Sequence, residues 1–527
     1  MENEKSEVTS NADTVMTSRA EYEELKREHA ELLELRTQIK WLMEQLRLIR
    51  NKQFGTSSEH ADEGVMEQLS LLFNEAEVFC PKEEAPASEV EVRAHKRVQK
   101  SGKVRDILPE NIPVEVIEHR LPEEEQICPQ CGATMEIIGK EVKETLKFKP
   151  AEAVLVQDVY YTYGCPKCKQ EEEVTPILET PQEPSIIPNS YATPEAVAFV
   201  AVQKFVLYVP LYRQEMEWNR KNIMITRQTM ANWLIRCATD WFQPVYDELH
   251  QALLQHDLLH ADETVVQVLH EDGRSAQEKS YMWLYRTSGD AEHGIVLYEY
   301  QPGRGQEHPV RFLSGFRGYL QTDGYAGYNS LENVIRIGCW AHARRKFEEA
   351  QKALPKGQRS NTADQGVAYC TKLFKMEEKL KSLQPEERKA ERLKLEKPIL
   401  DDMMKWAETR NAAPKSKLGQ ALSYLHNQWT SLTNYLLDGR IELSNNRAER
   451  SIKPFVMARK NFLFANTSKG AQSSATIFSL IESARENGLD PYAYLCWVLK
   501  RAPALCQIDA GWAKSLLPWN MPTNSSQ

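Results

Sequence analysis

Three acidic residues, far apart in the chain, have surroundings that invite chemistry. Asp262 stands with Glu263 in HADETVVQV (260–268), a stretch that otherwise alternates as a half-buried strand does. Asp323 closes GYLQTD (318–323), and Glu449 lies in SNNRAER (444–450) beside Arg447, Arg450 and, further on, Lys453. Carboxylates gathered at one point repel one another unless cations lie between them. Three of them suit a pair of divalent ions held through oxygen, Mg²⁺ with Mn²⁺ as a substitute, the arrangement used to move phosphodiesters. Glu442 competes with Glu449 as the third ligand. Glu449 is preferred: a helix capped by Asn445 and Asn446 aims it inward one turn on, while Arg447, Arg450 and Lys453 meet DNA phosphates outside. Glu442 falls just before that helix.

A second group is built from sulfur. Cys128 and Cys131 in ICPQCG, with Cys165 and Cys168 in GCPKCK, form two CxxC knuckles separated by short β-like runs such as VLVQDVYYTYG (154–164). Four thiolates in that pattern suit one structural Zn²⁺ in a domain too small to bury a sufficient core. A redox or disulfide pair is the alternative, but the other six cysteines are scattered singly, as in a reducing compartment.

Elements must carry these residues. Residues 256–346 read as a strand (LLHADETVVQVLH), a second (YMWLYRT), a third (GIVLYEYQ), a helix through 305–315, then strands at GYLQTD and VIRIGCW. Three antiparallel strands, a helix and further strands is the order of a ribonuclease-H-like fold. Neighbouring central strands would there set Asp262 beside Asp323. The stretch from Asp323 to Glu449 is too long for one connection, and its Glu-, Lys-, Leu- and Ala-rich spacing predicts an all-helical insertion at 347–440. Trp406 and Trp429 belong to its core or, alternatively, stack on bases. The core resumes over 441–485, before a tail at 486–527.

Upstream, residues 21–50 fit a heptad with Leu25, Leu32, Ile39 and Leu46 at a, and Leu35, Leu42 and Ile49 at d; only Glu28 breaks the seam. This predicts a two-stranded coiled coil, or else one amphipathic helix packed on its own domain. Residues 51–110 read as a linker and 111–180 as the zinc-binding domain. Within 190–250, PLYRQEMEWNRK and ITRQTMANWLIRCA form two helices, the second capped by Thr226, as a helix-turn-helix presenting Arg227, Gln228 and Asn232 to a DNA groove. A helical hairpin without DNA is the alternative. The fold class is thus multidomain α+β: coiled coil, zinc-ribbon-like domain, helix-turn-helix, and a ribonuclease-H-like core interrupted by helices.

With 41% hydrophobic and 27% charged residues, the composition is that of a soluble globular protein. The net charge of −9 hides basic windows at 93–105, 204–236 and 443–470. MENEKSEVTSNADT lacks the layout of a secretory signal, and the longest apolar run is broken by Lys204. A cytoplasmic protein without a membrane partner is expected.

HADET, QTDGYAGY, GCWAHARRKF and SNNRAERSIKPFVMARKNFLF resemble the DDE transposases of the insertion sequence 66 family, as do KQFGTSSE, the paired knuckles, PLYRQ and ENGLDPYAYL. The likeness covers nearly the whole chain. It implies Asp262, Asp323 and Glu449 as the catalytic triad, and Cys339 with His342 as a structural clasp. It also implies DNA partners at transposon ends and target, assembly as a homodimer or higher oligomer, and small accessory proteins of the same element. One departure is Ser444, where the family usually carries Asp. The rivals are a non-catalytic DNA-binding or bridging protein with an inactive nuclease fold, and a structure-specific nuclease that cuts without joining.

Overall fold

The computed structural model describes residues 152–164, 177–182, 184–354 and 360–522. The heptad segment at 21–50, the segment at 51–110 and Cys128, Cys131, Cys165 and Cys168 lie outside the described residues. Two units are distinguished, residues 81–183 forming the body of the smaller. Its described part holds an antiparallel pair, β1 (Thr162–Gly164) and β2 (Ile177–Glu179), with Tyr163 opposite Leu178. The run 154–164 is therefore strand only at its end.

Among the described residues of the larger unit, four α-helices come first: α1 (Pro194–Phe205), α2 (Leu211–Arg220), α3 (Arg227–Cys237) and α4 (Gln243–Leu253). Thr193 caps α1, accepting from the Ala196 amide, with Pro194 at the first helical position, where its missing N–H costs nothing. Thr226 caps α3 in the same way through the Thr229 amide. On α3, Met230, Trp233, Leu234 and Cys237 are buried, whereas Arg227, Gln228 and Asn232 are exposed.

A mixed sheet follows. Its strands are β3 (Leu258–His270), β4 (Lys279–Thr287), β5 (Val296–Gln301), β6 (Gly318–Gln321) and β7 (Val334–Ile337), in the order β5-β4-β3-β6-β7. β4 runs antiparallel to both of its neighbours, β3 and β5; β6 and β7 run parallel to β3. One short helix, α5 (Glu307–Phe312), links β5 to β6. From β7 the chain enters five helices: α6 (Trp340–Lys352), α7 (Asn361–Leu380), α8 (Pro385–Leu395), α9 (Lys397–Glu408) and α10 (Lys417–Thr433). It returns through α11 (Asn446–Phe462), a short strand β8 (Ala465–Thr467) beside the far end of β3, and α12 (Ser468–Glu486) and α13 (Pro491–Leu505).

Strand alternation sorts the sheet's two faces. Leu284 and Tyr298 share a face with Asp262, and Phe455 of α11 and Phe478 of α12 pack against Tyr298. Trp283 and Tyr285 share the opposite face with Glu263, where Phe312 stacks on Tyr285. Edge strand β5 would leave amides unpaired. Two serines of α12 meet them: Ser483 Oγ accepts from the Val296 amide at 3.0 Å and Ser479 Oγ from the Tyr298 amide at 2.8 Å. Helices α6, α7, α9 and α10 share a core with the sheet's end, joining Leu258 and Ile337 to Trp340, Phe347, Leu373, Met403 and Leu425. Trp406 is buried in that core, and Trp429 packs edge-on against Trp340. No helix among the described residues is long and apolar enough to cross a membrane.

Candidate metal centre

Register brings two of the acids together. His260 of β3 pairs with Gln321 of β6; carried two residues further, the same offset sets Asp262 opposite Asp323, just beyond the end of β6. Each carboxylate is oriented by the backbone. Asp262 Oδ1 accepts from the Glu263 amide and Asp323 Oδ1 from the Tyr325 amide, both at 2.8 Å. Glu449 enters from α11 one turn after Asn445, whose carbonyl accepts from its amide, and its side chain is 3% exposed.

Among the described residues, neither carboxylate oxygen of Glu449 has a hydrogen-bond donor. His342 Nδ1 stands 3.6 Å from one and an Arg345 nitrogen 3.9 Å from the other. Burial pushes the Glu449 carboxyl up to about 7, with Arg345 opposing and Asp323 reinforcing the rise. Asp262 rises well above the ordinary carboxylate range, through burial first and then the charges of Glu263, Asp323 and Glu449. Burial holds His342 down at about 4, so its ring is neutral near pH 7. A buried, donor-free carboxylate facing two more acids is a structure short of positive charge, and an all-oxygen ligand set fits a hard divalent ion such as Mg²⁺ or Mn²⁺.

Glu263 has a different explanation from Asp262. It projects from the opposite face of β3 and is neutralised there by Arg304, while its Oε2 accepts from Tyr328 Oη at 2.7 Å. Glu442, the competing third acid, is engaged by Arg447 at 2.6 and 2.8 Å. Arg447 consequently points toward Glu442 and the Gly289 turn, while Arg450 is exposed and Lys453 half-buried.

Cys339 and His342 do not stand apart from the acids. Cys339 precedes α6 and His342 lies in its first turn; the ligand atoms of Cys339, His342 and Glu449 lie within 4.8 Å of one another. Asn445 ties these parts together. Its side chain bonds His260 Nδ1 at 3.1 Å and donates to the Ala261 carbonyl at 2.9 Å, while its amide donates to Cys339 Sγ at 3.2 Å. Ser444, adjacent, is buried. Sequence reasoning did not find the partners Arg304 and Tyr328, and it read Asn445 and Asn446 as caps; Asn445 holds the N-cap position, but its side chain is spent on β3 and makes no capping bond, and Asn446 is the first residue of α11.

The sequence profile described as "Transposase IS66 family" matches residues 189–473, more than half of the chain, and spans all three acids. The chain belongs to the IS66 transposase family. Other profiles of this family match as well. The "zinc-finger binding domain of transposase IS66" covers 125–169, including all four knuckle cysteines. "Transposase C of IS166 homeodomain" covers 41–117, across the whole of the segment read as a linker, and the "IS66 C-terminal element" covers 479–519. Among similar proteins, the uncharacterized protein y4qI of Sinorhizobium fredii is 29% identical over 498 residues, covering 90% of this chain and 88% of its own. The uncharacterized protein y4hP of the same organism is 27% identical over 495 residues, covering 89% of this chain and 87% of its own.

Proposed function

We propose that this IS66-family chain is a DDE transposase that binds the terminal repeats of its insertion sequence, hydrolyses the phosphodiester at each end and joins the freed 3′ hydroxyl to target DNA. Asp262, Asp323 and Glu449 are the catalytic residues. They would hold two Mg²⁺ ions, which when bound supply nucleophile activation and charge neutralisation at the phosphate. The observation that carries this reading is the buried carboxylate of Glu449, without a donor, beside two aspartates matched in register.

The chain's own residues do the positioning. The Glu263 and Tyr325 amides aim Asp262 and Asp323, and Asn445 fixes the start of α11 against β3. Arg450 and Lys453 would meet DNA phosphates along α11, and Arg227, Gln228 and Asn232 a groove of the end sequence. No covalent protein intermediate is needed. The strand order, with three antiparallel strands followed by two parallel ones, supports a ribonuclease-H-like core. The five helices between β7 and α11 support an insertion into it. The zinc domain and a coiled-coil dimer would hold two ends in one assembly, with accessory proteins of the element as further partners.

The test uses purified protein and the DNA flanking its own gene. The unaltered chain nicks these ends with Mg²⁺ and not with EDTA; Asp262→Asn binds them without nicking. Undiminished nicking by Asp262→Asn overturns the assignment. Binding without any nicking by the unaltered chain identifies an inactive, bridging protein instead.

A further inference from the structure

Arg304 lies in the turn between β5 and α5, within Pro-Gly-Arg-Gly. An arginine serving only to neutralise a buried acid would be buried with it. The Arg304 side chain is 40% exposed, against 1% for Glu263. Its Nε and Nη2 both meet Glu263 Oε1, and among the described residues no acceptor meets Nη1. The guanidinium lies 3.8 Å over the Tyr325 ring and 5.9 Å from that of Tyr281, so two aromatic faces flank it. Tyr325 is also the residue whose amide aims Asp323.

The turn is braced in this position. Tyr325 Oη donates to the Arg304 carbonyl, Trp283 Nε1 to the Gly303 carbonyl at 3.4 Å, and Ser330 Oγ to Gln306 Oε1 at 2.6 Å. A planar cation, pinned along one edge by a buried carboxylate and flanked by rings, presents its remaining edge at fixed geometry. That edge suits a phosphate oxygen.

We propose that Arg304, supported by Tyr325 and Tyr281, binds a backbone phosphate of the DNA strand next to the bond held at Asp262, Asp323 and Glu449. This rests on the transposase reading and adds a DNA contact on the side of β3 opposite α11. Glu263 holds the arginine in place and takes no part in metal binding.

The test separates contact from neutralisation. Binding of duplexes from the flanks of the protein's own gene is measured in EDTA over a salt series for the unaltered chain, Arg304→Gln, Glu263→Gln and the double variant. Arg304→Gln is expected to weaken binding about tenfold and to lower the slope of log affinity against log salt by about one, as loss of one phosphate contact does. The double variant, which has no unpaired acid to destabilise it, is expected to bind as weakly as Arg304→Gln. Recovery of full affinity in the double variant, or full affinity in Arg304→Gln, overturns the proposal. Asp262→Asn, assayed for affinity in EDTA and for nicking in Mg²⁺, reports on the transposase reading separately, because it loses nicking while keeping affinity.

Discussion

Replacing Glu449 by Gln should stabilise the metal-free protein, and by an amount that depends on pH. Burial raises the Glu449 carboxyl from 4.5 to about 7. The folded chain therefore keeps a proton that the unfolded chain gives up between pH 4.5 and 7. Stability must fall as pH rises through that window, and the loss is complete above it. A displacement of roughly 2.5 on the pH scale, at about 1.36 kcal/mol each, amounts to about 3 kcal/mol. In EDTA, Glu449→Gln should exceed the unaltered chain by nearly that much at pH 8 and lose the advantage by pH 4.5. Urea denaturation followed by circular dichroism at both pH values reads the difference. Any fixed cost of the amide appears equally at each pH and cancels. With Mg²⁺ at about 1,000 times its Kd the order should reverse, because ligand at that excess stabilises the folded state by about 4.1 kcal/mol and the variant lacks a ligand. A difference that does not change with pH, or a variant less stable at pH 8 than at pH 4.5 relative to the unaltered chain, refutes the reasoning.

Arg392, fully buried, bonds Glu377 at 2.6 and 2.8 Å and donates to the carbonyls of Tyr435, Asp438 and Ile441, which lead into α11. Arg392→Met removes one partner of a buried pair and should cost about 3–5 kcal/mol, seen as a lowered melting temperature. Zinc analysis of the purified chain should find one ion per protein, and Cys128→Ser with Cys165→Ser should remove it.

What was legible in the sequence was what local patterning fixes. The thirteen-residue alternation of β3 was read at its observed limits, Leu258–His270, because its ends fall at a turn and a helix end. Asp323 was read at the end of the fourth strand and falls two residues past it, and Thr226 was read as a cap because its side chain serves an amide three residues on. Contacts between distant segments were not legible. Glu263 and Arg304 are 41 residues apart, and Asn445 reaches His260 across 185. Nothing in local spacing marks such pairs, and it is the two faces of β3 that supply separate explanations for its two acids. β8 was missed because three residues carry no periodicity.

The central claim is that Asp262, Asp323 and Glu449 converge to hold divalent ions, and Mn²⁺ soaked into crystals of the protein tests it directly. Anomalous density ligated jointly by oxygens of all three residues is the predicted result. Density confined to Cys339 and His342, or three carboxylates left apart with no ion among them, would contradict it.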